Sequence, residues 1–277
     1  MGDTSDQTML IGNELVADVD AADVKPGQVA FWWLGQHSFI LKLGGSVLYI
    51  DPYLTAKPAR LVPPMVSPAQ MAHADIVVGT HDHGDHIDRK FWPDIASETD
   101  ATFIVPDLVR DSVIEEQGIA PKRILGLDDG ISLDVKGIKI TGVAAAHEFL
   151  DQDPETGRYP FLGVVIEANG AKVYHAGDTV KYEGLETRVK KHMPIDLALL
   201  PINGRDAQRL STGTIGNMTY QEAVDLAGAT EPRLAVPTHY DMFAHNQEDP
   251  QSFVDYANVK FPQLKVTICE YGTKVVL

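Results

Sequence analysis

Short apolar runs separated by turns dominate the chain and predict a mixed strand and helix fold. Gln28 to Leu34, Ser38 to Leu43 and Ser46 to Ile50 read as three consecutive strands, the last two joined by a Gly44-Gly45 turn. Asp75-Ile76-Val77-Val78-Gly79 is a further apolar run, followed by predicted helices over Phe91 to Ser97 and Asp107 to Gln117. Thr102 to Val105, Ile131 to Val135, Ile138 to Val143, Phe161 to Ala168 and Lys172 to His175 have strand character. Asp196 to Leu200, Leu234 to Pro237 and Lys265 to Cys269 are short apolar runs near the C-terminus. Between them lie a helix opened by the capping box Thr219-x-x-Glu222 and another after Pro250. Four prolines between Lys57 and Pro68 exclude regular structure there and predict a loop able to cover a pocket. Trp32 and Trp33 are adjacent on a strand, so one ring is expected on each of its faces. Residues 1 to 27 are polar and acidic and read as an N-terminal surface extension of one domain spanning 1–277.

Composition narrows the function classes. A chain of 277 residues with 44% hydrophobic content can bury a sizeable core. The single cysteine, Cys269, rules out an intramolecular disulfide and fits a reducing compartment. The N-terminus is acidic where a signal peptide is basic, and no apolar stretch reaches the ~18 residues of a membrane span. A cytoplasmic protein without a membrane partner is therefore expected. Thirty-nine carboxylates against 23 Lys and Arg, a net charge of −16, argue against a nucleic-acid partner. A small anion remains compatible with that surface wherever metals or an arginine set the local potential.

The densest chemistry is Thr80-His81-Asp82-His83-Gly84-Asp85-His86, three imidazoles and two carboxylates directly after an apolar run. A strand ending in this pattern delivers nitrogen and oxygen donors as one cluster, and no thiolate competes for a metal. His147, Asp178 and His239 each follow a later apolar run. In a layered fold, strand ends gather at one edge, so these distant donors can converge with the first group.

This order of donors resembles the metallo-β-lactamase superfamily from about Phe31 to the C-terminus. Trp33-Leu34-Gly35-Gln36, Ile50-Asp51-Pro52-Tyr53, Pro237-Thr238-His239-Tyr240-Asp241-Met242-Phe243 and Asn246-Gln247-x-Asp249-Pro250 look like the L-ascorbate 6-phosphate lactonase family within it. The segment from Asn203-Gly204-Arg205-Asp206 to Gly216-Asn217-Met218-Thr219 sits where that family carries a substrate-facing loop, in a different wording. The resemblance implies a four-layer αββα sandwich. It also implies one or two divalent ions, zinc or manganese. His81, His83 and His147 would hold one ion, Asp85, His86 and His239 a second, and Asp178 would bridge them. A water activated between the ions would attack, and Asp85 would orient it and serve as general acid/base.

The remaining candidates concern substrate. Arg205 and Arg209 are the natural anchors for phosphate or carboxylate, because guanidinium is always charged and binds in bidentate fashion. Tyr240 and Asn217 are candidate hydrogen-bond donors to a substrate oxygen, and His37 and His245 candidate cavity residues. His175 is a further candidate, whereas His73, His192, Lys57 and Lys181 read as supporting or surface residues. The expected activity is hydrolysis of a small ester, most concretely a lactone of a phosphorylated sugar acid, by a homo-oligomeric enzyme acting on an anionic small molecule. A phosphodiesterase of the same superfamily and a non-catalytic metal-binding sensor are the competing expectations.

Overall fold

The computed structural model describes residues 9–277. Six strands follow one another in the first half: β1 (Ala30–Trp33), β2 (Phe39–Leu43), β3 (Ser46–Ile50), β4 (Ile76–Val78), β5 (Thr102–Pro106) and β6 (Ile124–Leu127). The next six are β7 (Ser132–Val135), β8 (Ile138–Ala144), β9 (Leu162–Ala168), β10 (Ala171–His175), β11 (Leu197–Pro201) and β12 (Leu234–Thr238), and β13 (Lys274–Val276) ends the chain. The helices are α1 (Gly12–Ala21), α2 (Trp92–Glu98), α3 (Asp107–Gln117), α4 (Leu185–Lys190), α5 (Ala207–Ser211), α6 (Tyr220–Thr230) and α7 (Pro250–Lys260). One sheet has the order β13-β1-β2-β3-β4-β5-β6 and the other β12-β11-β10-β9-β8-β7.

Strands β1 to β3 are apolar at successive positions because both faces of their sheet are covered. Phe31, Trp33, Phe39, Leu41, Leu48 and Ile50 join the core shared with the second sheet. Trp32, Ile40, Tyr49 and Val77 join an outer core with Leu15 and Val19 of α1, Trp92 and Ile95 of α2, and Val113 of α3. The two tryptophans thus face opposite ways, as the strand period requires. Leu185 and Val189 of α4, Ala223 and Leu226 of α6 and Phe253 of α7 cover the second sheet. The result is the four-layer αββα arrangement. No helix among the described residues is long and apolar enough to cross a membrane.

The N-terminal extension needs correction. Residues 12 to 21 form α1, which buries Leu15 and Val19 at helical spacing rather than only wrapping the surface. Buried Lys42 of β2 donates to the carbonyls of Val19 and Asp20 at 2.7 and 2.9 Å, where the helix dipole favours a cation. Residues 1–8 of that extension lie outside the described residues. The apolar run at Lys265 to Cys269 makes only an isolated bridge between Val266 and Ala235. The Pro-rich loop is tied to the segment after β12, with Leu61 N–H donating to Met242 O at 2.9 Å and Arg60 bridging to Phe243.

Strand direction places the site. β1 and β3 both run antiparallel to β2, and β4 runs parallel to β3, so β1, β3 and β4 end at one edge. In the other sheet β8, β10, β11 and β12 share a direction by the same reasoning.

Candidate metal centre

The loops leaving β1, β3, β4, β8, β10 and β12 meet at that edge. β4 leads into Thr80 to His86, β8 into His147, β10 into Asp178 and β12 into His239. Three groups of donors result, His81/His83/His147, His81/His86/Asp178 and Asp85/His86/His239, and within each group the ligand atoms lie within 4.8 Å of one another. All seven sequence-predicted ligands are therefore brought together. His81 Nε2 and His83 Nδ1 stand 3.0 Å apart, His239 Nε2 and Asp178 Oδ2 3.1 Å, and His86 Nε2 and Asp178 Oδ1 3.5 Å.

This donor set fits divalent cations. His86 Nε2 and Asp178 Oδ1, which face one another in the cluster, are buried without a hydrogen-bond partner, a costly state that a cation would relieve. Nitrogen and carboxylate oxygen donors suit zinc, manganese or iron. Asp82, the motif's other carboxylate, points away and pairs with Arg89 at 2.6 Å.

The electrostatics follow from crowding in a dry place. Burial opposes charge on His86, but Asp178, Asp51 and Asp85 hold its pKa well above the ordinary histidine value. Burial likewise opposes charge on Asp178, yet His239 and His86 hold its carboxyl well below the usual range. Asp85 is lowered too, because His86, His239 and a Gln36 hydrogen bond outweigh its burial. Burial pushes His81 well down and His147 to about 4, which leaves these imidazoles neutral and ready to ligate.

Two residues that the sequence reading did not assign complete the cluster. Asp51, fully buried just after β3, accepts from His86 Nδ1 at 2.6 Å and from the Thr80 backbone N–H and hydroxyl, each at 2.8 Å. It fixes the His86 tautomer so that Nε2 faces the cluster. Gln36, after β1, donates its side-chain amide to Asp85 Oδ2 at 2.8 Å and lies 3.2 Å from His239 Nε2. Its own N–H donates to Asp241 Oδ1 at 3.0 Å. Both positions stand in strand-end motifs, Trp33-Leu34-Gly35-Gln36 and Ile50-Asp51-Pro52-Tyr53, but neither glutamine nor a lone turn aspartate signals a site by residue type.

A cavity of about 270 Å³ opens over the cluster, walled by Gly213, Thr214 and Ile215 on one side and Phe243, His245 and Asn246 on another. His245 does line it. The other substrate candidates require correction. Arg205 gives its guanidinium to Glu222 in bidentate fashion, at 2.9 and 2.8 Å, and to the Asn217 carbonyl at 2.9 Å, outside this cavity. Arg209 is tied to Asp206, to Asn246 Oδ1 and to the Gln247 carbonyl, so it stands behind the wall and holds Asn246. Tyr240 is buried against Trp33, ring centroids 5.2 Å apart, and does not reach the cavity. Asn217 is fully buried, with an unpaired side-chain amide, and does not line the cavity either. His37 is stacked on His175 at 3.8 Å with both nitrogens engaged, one by Gly177 O and one by Thr238 Oγ. It braces the loop carrying Asp178 from beneath. No Lys or Arg occurs among the described cavity-lining residues.

Fold and donor geometry together define a metallo-β-lactamase-type metal centre. A family model described as "Beta-lactamase superfamily domain" matches residues 47–240. The chain is 34% identical over 222 residues to a UPF0173 metal-dependent hydrolase of Thermococcus onnurineus, covering 80% of this chain and 88% of that one. It is 31% identical over 244 residues to another of Methanopyrus kandleri, covering 87% and 96% respectively. Among solved structures, the novel metallo hydrolase Igni18 of Ignicoccus hospitalis superposes with a TM-score of 0.71 at 24% identity, over 90% of this chain and 98% of that one. The chain belongs to the metallo-β-lactamase superfamily, and within it to the UPF0173 metal-dependent hydrolases.

Proposed function

We propose that this metal-dependent hydrolase cleaves a small, uncharged ester, most concretely a lactone. The observation that carries the reading is the seven-donor cluster opening into a cavity of about 270 Å³ whose described lining holds no Lys or Arg. Zinc or manganese ions held by His81, His83 and His147 on one side and by Asp85, His86 and His239 on the other, with Asp178 between, would supply an acidified water and an electrophile for a carbonyl oxygen. Asp85, half-buried and held by Gln36, would take a proton from that water and return it to the leaving alcohol. Asp51 keeps His86 in one tautomer throughout. The likeness of Pro237 to Phe243 to the ascorbate-phosphate lactonases supports a lactone. The commitment of both arginines removes the expected grip on a phosphorylated one.

The test is a substrate panel with metal analysis on the same sample. Uncharged γ- and δ-lactones should be hydrolysed with a kcat/KM at least about tenfold above that for phosphorylated sugar lactones, the cost of losing one charge-assisted contact. Hydrolysis of bis(p-nitrophenyl) phosphate with no lactone turnover would replace the reading with a phosphodiesterase.

A further inference from the structure

A second cavity of about 280 Å³ adjoins the metal cavity and shares Thr214 and Ile215 with it as a common wall. Its own walls are Leu210, Glu148, Gly216, Arg205 and Asp206. Leu210 is 66% exposed and Ile215 39%. An exposed leucine and isoleucine facing one hollow beside a reaction centre are the mark of a surface awaiting an apolar ligand group. The charges around it disfavour an anion. Arg205 gives its guanidinium to Glu222 and Asp206 pairs with Arg209, so the lining offers an anion no unpaired arginine, and Glu148 adds a carboxylate to it.

We infer that this second cavity is a substrate subsite for an uncharged aliphatic arm, attached to the group that reacts over the metal cluster and crossing the Thr214-Ile215 wall. The assignment rests on the proposed reading of the metal cavity as the reaction site. It names what that reading leaves open, the part of the substrate that does not react. Leu210 lines the second cavity but not the metal cavity and is not among the metal donors, so it sets preference for the arm without acting on the chemistry.

The experiment is affinity rather than turnover. Straight-chain alkyl hydroxamates, which chelate divalent ions through their head group, are titrated by calorimetry into the metal-loaded protein, from acetohydroxamate to octanohydroxamate. Burial of each added methylene should tighten binding roughly fourfold until the cavity is filled. In Leu210→Asp, acetohydroxamate should bind as in wild type while the gain per methylene disappears. Affinity independent of chain length in the wild type, or an equal gain in Leu210→Asp, overturns the subsite. Failure of the protein to hydrolyse any lactone contradicts the proposed reaction but not the subsite, because the hydroxamate series reads the arm without turnover.

Discussion

At the scale of single residues, the donor types and their order were legible and their partners were not. His81, His83, Asp85, His86, His147, Asp178 and His239 announce themselves by chemistry at strand ends, and the fold gathers all seven. Arg205 and Arg209 had the right chemistry for an anion, but their charge is used by Glu222, 17 residues along, and by Asp206 and the Asn246-Gln247 segment. Such pairing depends on loop conformation, which no residue type encodes. Asp51 was hidden for the opposite reason, since its partner His86 lies 35 positions away. Its removal should show what it does. In Asp51→Asn the buried His86 Nδ1–H keeps an acceptor but loses the charge facing it, so affinity for an ion held by Asp85, His86 and His239 should fall about 10- to 100-fold. Competition with a chelating dye measures this, and wild-type affinity in the variant would reduce Asp51 to a folding residue.

Among the elements, strands that are apolar at successive positions could be read directly, as could the α6 capping box, which forms with Thr219 Oγ accepting from Glu222 N–H at 3.3 Å. Elements defined by distant partners could not. β13 is three residues that pair with β1 from the far end of the chain, and α1 has no side-chain cap and only two buried positions. The strand ends also hide their geometry. Gln36, Asp51 and His239 all have positive φ, at 54°, 48° and 60°, so the chain kinks sharply where it presents them to the cluster. Such conformations are held by surrounding contacts and are common at functional sites. Gly177 makes the corresponding kink before Asp178, at φ 61°, and a Cβ there would stand 2.3 Å from Leu162 O. Gly177→Ala should therefore destabilise the protein by about 2 kcal/mol or more and reduce bound metal, since Asp178 must move. Thermal unfolding and metal content check both, and an unchanged melting temperature would mean that the loop is more compliant than its packing indicates.

For the whole molecule, the buried imidazoles tie stability to pH when metal is absent. Burial depresses His37, His81, His147 and His175, and like-charged neighbours add to this at His37 and His81. Below their unfolded pKa of ~6.5 these groups take up protons only on unfolding, so stability falls as pH drops through that value toward the folded pKa, about 4 for His147. His86 and His239 are raised and act in the opposite sense: their contribution is complete below ~6.5 and is lost as pH rises through their folded values. His73 and His192 are lowered by burial as well, so six depressed imidazoles stand against two raised ones. Urea denaturation of the chelated protein should show lower stability at pH 5 than at pH 7, and equal or greater stability at pH 5 would contradict this balance.

The central claim is that one cluster both holds the metal and performs the hydrolysis. Stepwise addition of zinc or manganese to chelated protein, with bound metal and lactone hydrolysis followed in the same samples, tests it most directly. Activity should be absent at the start, rise with occupancy to no more than two ions per chain, and fail to appear in His83→Ala, which should retain the fold but lose the His81/His83/His147 position. Hydrolysis by the chelated protein, or full activity in His83→Ala, would contradict the account.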